Sequence, residues 1–339
     1  MAAEHVGVGP DDRLRQMVWG FAPPLIVSTA VDLGIFDALE ARPLTLSEAA
    51  AATGASIRGL AALLNALVGL GLLEKIDGDR YRLAPEYAAF LLRSRPETNL
   101  GPMFGHVSRQ LVPSWLGLAE SVRSGRPCKR IDEAATGADF FAQFVEALFA
   151  MAYPSARALA EHLAAETPGP VRVLDLAAGS GVWGIALAQG SPHVSITAVD
   201  WPAVLKITQR VAKRYGVADR LETVAGDLLE ADFGAGHNVA VLGHILHSEG
   251  ETRGRRLLQK TFAALAPGGR IAIAEFLVNR QRTEPVVGLL FAVNMLVHSE
   301  SGSTWSAEEI GVWLSEAGFN NVRPLPVPGS SPLILADRP

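Results

Sequence analysis

The stretch "VRVLDLAAGSGVWGIALAQG" runs from Val171 to Gly190, and its reading decides the fold. An apolar, β-branched run enters a glycine-rich turn and a second apolar run leaves it. Gly179, Gly181 and Gly184 spell G-x-G-x-x-G. Missing side chains there let the backbone fold tightly from strand to helix and let a ligand come close. Further apolar runs recur downstream: "VSITAVD", "LETVAGD", "NVAVLGHIL" and "RIAIAEFLV", with helical patterns such as "PAVLKITQRVAKRYG" between several of them. Strands this hydrophobic are buried on both faces, which means a parallel sheet covered by helices. The end differs, because "VRPLPV" and "PLILAD" are separated only by "PGSS". The expected fold class is α/β: a Rossmann-like, mostly parallel sheet with an antiparallel last strand, over residues 169–339.

The glycines alone do not name a ligand. A dinucleotide turn is fed by small or apolar residues, and an acid at the end of the second strand holds the ribose. Here Asp175 stands four residues before Gly179. A carboxylate beside the turn repels a pyrophosphate and suits an ammonium or sulfonium group. The amides opening the next helix can take a carboxylate. Asp200 ends the second strand-like run, where a ribose diol would lie, and Asp227 in "AGDLLE" ends the third, where it can accept from an adenine amino group. Three carboxylates at three consecutive strand ends describe S-adenosylmethionine better than a nicotinamide dinucleotide.

Upstream, residues 14–100 read mainly helical. "LTLSEAAAATG" has an N-cap at Thr45 or Ser47 and a stop at Gly54, followed by the apolar helix "SIRGLAALLNALVGLGLLEK". "KIDGDRYRLA" then gives two short strands about a turn at Asp77 and Gly78. Helix, turn, helix and β-wing is the winged-helix order. A recognition helix needs side chains that reach base edges and phosphates, yet this one offers only Arg58 and Asn65. The expected role of residues 1–100 is dimerisation, giving a homodimer, with no nucleic acid as partner. Residues 101–168 read as a helical connector ending before the Pro168-Gly169-Pro170 break. Phe149 and Tyr153, with Phe144 and Met151 near them, are core residues singly and as a group candidates to wall an apolar substrate pocket.

Composition narrows the class further. The 339 residues exceed one ordinary core, so two domains are the prior. The net charge of −5 gives no electrostatic footprint for nucleic acid or an acidic membrane surface. The single cysteine, Cys128, cannot form an internal disulfide and fits a reducing compartment. The amino terminus is polar and charged rather than a signal peptide. A cytoplasmic protein without a membrane partner is expected.

With these residues in view the chain resembles a known family, the class I SAM-dependent methyltransferases of the two-domain, hydroxyindole and plant phenolic O-methyltransferase type. The resemblance spans nearly the whole chain. It implies an N-terminal winged-helix dimerisation domain, a C-terminal catalytic domain, S-adenosyl-L-methionine as cofactor and S-adenosyl-L-homocysteine as product. "VLDLAAGSG" matches the glycine-rich turn, with Ala177 and Ala178 where two glycines are usual. "AVDWPAVL" points to Asp200 for the ribose and Trp201 against the adenine; "AGDLLE" points to Asp227 and Leu228. The family's histidine after the fourth strand corresponds to His247 in "GHILHSEGE", a general base for a phenolic or hydroxyl proton. Its acidic partner on the fifth strand corresponds to Glu275, which would orient the imidazole.

Departures qualify the match. Ser248 and Glu249 replace the family's Asp and Trp, and the later G-G-x-E-R-T motif reads "SESGST", with Glu300 only nearby. His244, three residues before His247, is expected to share its helical face and line the pocket, together with Asn294 and His298. Two histidines indicate a metal only when further ligands converge, and none is evident. The expected activity is O-methylation of a small aromatic acceptor, phenolic or polyketide-like. The alternatives are methylation of a ring carbon, a non-methylating SAM-binding enzyme of the same fold, an NAD(P)-dependent oxidoreductase, or a SAM-sensing winged-helix regulator.

Overall fold

A computed structural model describes residues 9–131, 137–138, 140–141, 144–166, 169–329 and 331–339. Pro168, at the expected connector break, lies outside the described residues. The chain divides into two compact units, Met1–Pro113 and Ser114–Pro339.

In the first unit the local signals act as written. Thr45 caps the helix Leu46–Thr53 in a reciprocal box with Glu48, and Gly54 closes it at φ +70°. Ser56 caps the next helix, Ile57–Gly69, which buries Leu60, Leu64 and Leu67. The two helices meet at 110°. Strands β1 (Leu44–Thr45), β2 (Leu73–Ile76) and β3 (Arg80–Leu83) form a small antiparallel sheet in the order β1-β3-β2. Asp77 and Gly78 turn β2 into β3 at φ +48° and +84°. The helix–helix–hairpin order read from the sequence is therefore present. Among the described residues no single helix is long and apolar enough to cross a membrane.

The second unit is built on seven strands: β4 (Val171–Leu176), β5 (Val194–Asp200), β6 (Leu221–Ala225), β7 (His237–Gly243), β8 (Leu265–Ala274), β9 (Asn320–Leu325) and β10 (Leu333–Asp337). Their spatial order is β6-β5-β4-β7-β8-β10-β9. β4 to β8 run parallel, while β10 is antiparallel to both β8 and β9. The last strand of the chain is thus the antiparallel one, and it slips between β8 and β9. Neighbouring residues on one strand serve opposite layers, as a period of two demands. Val173 packs with Ile185 and Leu159 on one face, and Leu174 with Leu242, Leu246 and Leu257 on the other. Helices cover both faces, which explains the uninterrupted apolar runs.

Candidate active site

Sheet order gathers the chemistry. In an open parallel sheet a ligand crevice forms at the carboxyl ends of the strands where the winding reverses. Here that point lies between β4 and β7, paired at Leu176 and Leu242. The glycine turn follows β4, and "GHILH" follows β7. Asp200 ends β5, Asp227 follows β6, and Glu275 follows β8. Residues spread over a hundred positions of sequence therefore share one edge of the sheet.

Gly179 and Gly181 are left-handed, at φ +57° and +76°, and Gly181 caps the helix Val182–Gly190. Gly184 is helical and serves packing: a Cβ there would lie 2.7 Å from Ile196 of β5. Ala177 also holds a positive φ, +53°, the conformation that suits the glycine usual in the family. Asp175 is fully buried beneath this turn. Its Oδ2 accepts from the Gly184 N–H at 2.9 Å, which satisfies one open donor of the helix. Its Oδ1 is buried without a partner. Burial pushes the carboxyl up to about 7; the Gly184 N–H opposes this and the charge of Asp200 adds to it. A buried acceptor with one face unanswered fits a cationic ligand group.

Asp200 accepts from Gly179 N at 2.8 Å and Trp201 N at 2.7 Å. Burial raises it to about 6 against those two N–H groups. Trp201 is half-buried, its indole 5.9 Å from the Phe141 ring and close against Gly137. Asp227 bonds the Leu229 N–H at 2.8 Å and pairs with Arg253 at 2.8 Å. Nothing in the sequence had indicated that pairing. Leu228 is buried in the core layer around Leu246.

The sharpest geometry is at His247. Its Nδ1 lies 2.8 Å from Glu275 Oε2, and its backbone N–H donates to Glu275 Oε1 at 3.2 Å. Both side chains are buried. Burial would raise the Glu275 carboxyl, but His247 beside it, with His244 helping, holds it below the usual range. An ionised carboxylate only accepts, so Nδ1 carries the proton and the neutral ring's Nε2 keeps its lone pair. Nε2 bonds no described residue. Phe291 meets the imidazole edge-on at 4.8 Å and Phe276 lies 5.9 Å away, the two phenyl rings stacked at 3.9 Å.

His247 sits in the first turn of the helix Leu246–Ala264, which is broken at Gly250 (φ +70°, ψ 175°). The break leaves the carbonyls of that turn open, and the segment 299–305 answers them. Trp305 Nε1 donates to Leu246 O, Ser303 N to His247 O and Ser299 Oγ to Ser248 O. A Cβ at Gly302 would lie 2.6 Å from His247 O. "SESGST" thus secures the turn through backbone and hydroxyl groups. Glu300 is exposed and pairs with Arg130.

Other candidates fall elsewhere. His244 does not share a helical face with His247: it precedes the helix, at φ +60°, because the turn out of β7 is left-handed there. Its ring lies 4.9 Å from Phe276. Asn294 accepts from Trp115 Nε1 at 2.9 Å. His298 bonds the Asn294 carbonyl through Nδ1, leaving Nε2 buried without a partner. Phe149 and Tyr153 stack with Tyr215, Phe149 lying 4.6 Å from it and nearly coplanar. Those rings belong to the core layer over the helix Val182–Gly190 and are not among the rings at His247. Phe276 and Phe291 had been missed. Phe291 stands three and seven residues before Asn294 and His298 on the helix Val286–His298, so helical spacing from those two would have found it.

Comparison with known proteins identifies the family and the fold. A family model described as an O-methyltransferase domain matches residues 115–320, and one described as an O-methyltransferase dimerisation domain matches residues 16–94. The chain is 32% identical over 316 residues to a 3-hydroxy-5-methyl-1-naphthoate 3-O-methyltransferase of Streptomyces sahachiroi, covering 91% of this chain and 90% of that one. It is 28% identical to the tetracenomycin polyketide synthesis 8-O-methyl transferase of Streptomyces glaucescens, over 98% and 97% of the two chains. The solved structure of human N-acetylserotonin methyltransferase in complex with SAM superposes with a TM-score of 0.85 at 25% identity, covering 100% of this chain and 99% of that one.

Proposed function

The chain belongs to the two-domain O-methyltransferase family, and from that premise we propose that it O-methylates a small aromatic or polyketide-like hydroxyl with His247 as general base. S-adenosyl-L-methionine supplies the methyl group when bound. The observation that carries the base is the buried His247–Glu275 contact of 2.8 Å. Glu275 fixes the tautomer and favours the imidazolium as His247 Nε2 takes the proton of the attacking hydroxyl. Phe276 and Phe291 flank the imidazole and suit a flat apolar acceptor. The naphthoate and polyketide substrates named for the relatives are of that kind.

Asp175, Gly179, Gly181, Asp200, Trp201, Asp227 and Leu228 are the residues we assign to the cofactor. The unpartnered Oδ1 of Asp175 supports this assignment, because a buried carboxylate beside a glycine turn matches an ammonium group. We further assign dimerisation to residues 1–100 in a winged-helix arrangement, a share of the substrate pocket to the helical segment 101–168, and the homodimer to the cytoplasm, on the single cysteine.

Transfer from methyl-labelled cofactor to a panel of phenols and hydroxynaphthoates, with the label located by NMR, tests the reading. Label on oxygen is expected. Label on carbon, with turnover unchanged in His247→Ala, would overturn it.

A further inference from the structure

His244 stands where a glycine would be at ease. It leaves β7 at φ +60°, a region that a side chain disfavours, and its backbone N–H donates to Ala274 O at 2.8 Å. No described residue hydrogen-bonds its ring. Nδ1 is buried without a hydrogen-bond partner, and Nε2 bonds no described residue. Glu275 is already committed, Oε1 to the His247 N–H and Oε2 to His247 Nδ1.

The tautomer follows from burial. A proton on Nδ1 would leave a buried N–H unsatisfied, so the neutral ring carries it on Nε2. Burial pushes this imidazole down to about 4, Glu275 opposing and His247 adding to the effect. At neutral pH His244 is an uncharged donor and a poor base. His247 is the complement, with its proton held by Glu275 and Nε2 free to accept. Both imidazoles approach one ring, Phe276, at 4.9 and 5.9 Å, so a donor-bearing and an acceptor-bearing ring flank the same phenyl group.

We propose that His244 is a specificity-determining residue whose Nε2–H donates to a second oxygen of the methyl acceptor, a hydroxyl or carbonyl ortho or peri to the hydroxyl that reacts. Donation to the reacting oxygen itself would hold back the lone pair that attacks. The inference rests on His247 as the base and narrows the substrate class to aromatics with two neighbouring oxygens.

Calorimetric titration of the S-adenosyl-L-homocysteine-saturated protein with 2,3-dihydroxynaphthalene and with 2-naphthol tests it. The wild type is expected to prefer the diol by about tenfold, the worth of one hydrogen bond. His244→Phe should bring that ratio near one, and His244→Gln, which keeps an N–H donor, should restore most of it. Because the ratio is taken within each variant, a general loss of fold does not imitate the result. A wild-type ratio near one, no measurable diol binding, or a preference that survives in His244→Phe overturns the proposal. A methyl-transfer assay and the same titration, both on His247→Ala, separate the two readings: turnover that survives in the assay removes the base, while the diol preference in the titration still reports on His244.

Discussion

Asp175 carries one carboxylate oxygen into a helix cap and leaves the other buried and unanswered. Its carboxyl is raised from 3.8 to about 7, and the sign of the linkage follows. In the cofactor-free protein its contribution to stability is full below about pH 4 and is lost as pH rises through 7. An ammonium group binding there must displace the proton below pH 7 and finds a bare carboxylate above it. Affinity for S-adenosyl-L-homocysteine should therefore tighten by up to about tenfold per pH unit toward 7 and then level off. Titration calorimetry at pH 5.5, 6.5 and 7.5 checks this, with Asp175→Asn weak and nearly flat. At this scale the sequence was legible in part. The residues of the His247–Glu275 pair were nameable from motif resemblance; the burial of Asp175 under the glycine turn was not, since burial depends on Ile196 and its neighbours on another strand.

The element that decides the site is the broken helix. Gly250 holds φ +70° inside Leu246–Ala264, and a Cβ there would lie 2.6 Å from Ser301 O. Gly250→Ala should lower stability by about 2 kcal/mol, from left-handed strain and a backbone clash. Methyl transfer should fall further than stability explains, because the turn bearing His247 loses its seat on residues 299–305. Thermal melts beside kcat/KM on the same preparation measure both; equal losses would mean that the kink does not position His247. Elements with local signals were readable in advance: the Thr45 cap, the Gly54 stop and the hairpin at Asp77-Gly78 all formed. Errors came where the local signal is silent. Helical spacing put His244 and His247 on one face, and one left-handed residue separates them. Spacing also grouped Phe149 with Tyr153 correctly but could not say that Tyr215, far along the chain, would complete the stack.

On the scale of the molecule, the first unit exposes Met17, Val18, Trp19 and Phe21, each more than half accessible. On the unit matched by a dimerisation model, an apolar run of this kind is the surface we propose a second copy covers. Trp19→Glu should shift the protein toward monomer in sedimentation velocity at micromolar concentration, leaving the second unit's cofactor binding within about threefold. A variant that stays dimeric would place the interface elsewhere. The mostly parallel sheet with an antiparallel last strand was legible from the alternation of apolar runs and helices. Its consequence was not: that β7 lies beside β4, bringing "GHILH" to the glycine turn, is a property of the winding and not of any one segment.

Acid–base work by His247 is the step on which the proposed transfer depends. The direct measurement is single-turnover methyl transfer to a phenolic acceptor by His247→Ala, with cofactor binding measured alongside. The expected rate is lower by roughly 10²–10⁴-fold with cofactor affinity unchanged, with a smaller loss in the same direction for Glu275→Gln. A His247→Ala rate within a few fold of wild type would contradict it.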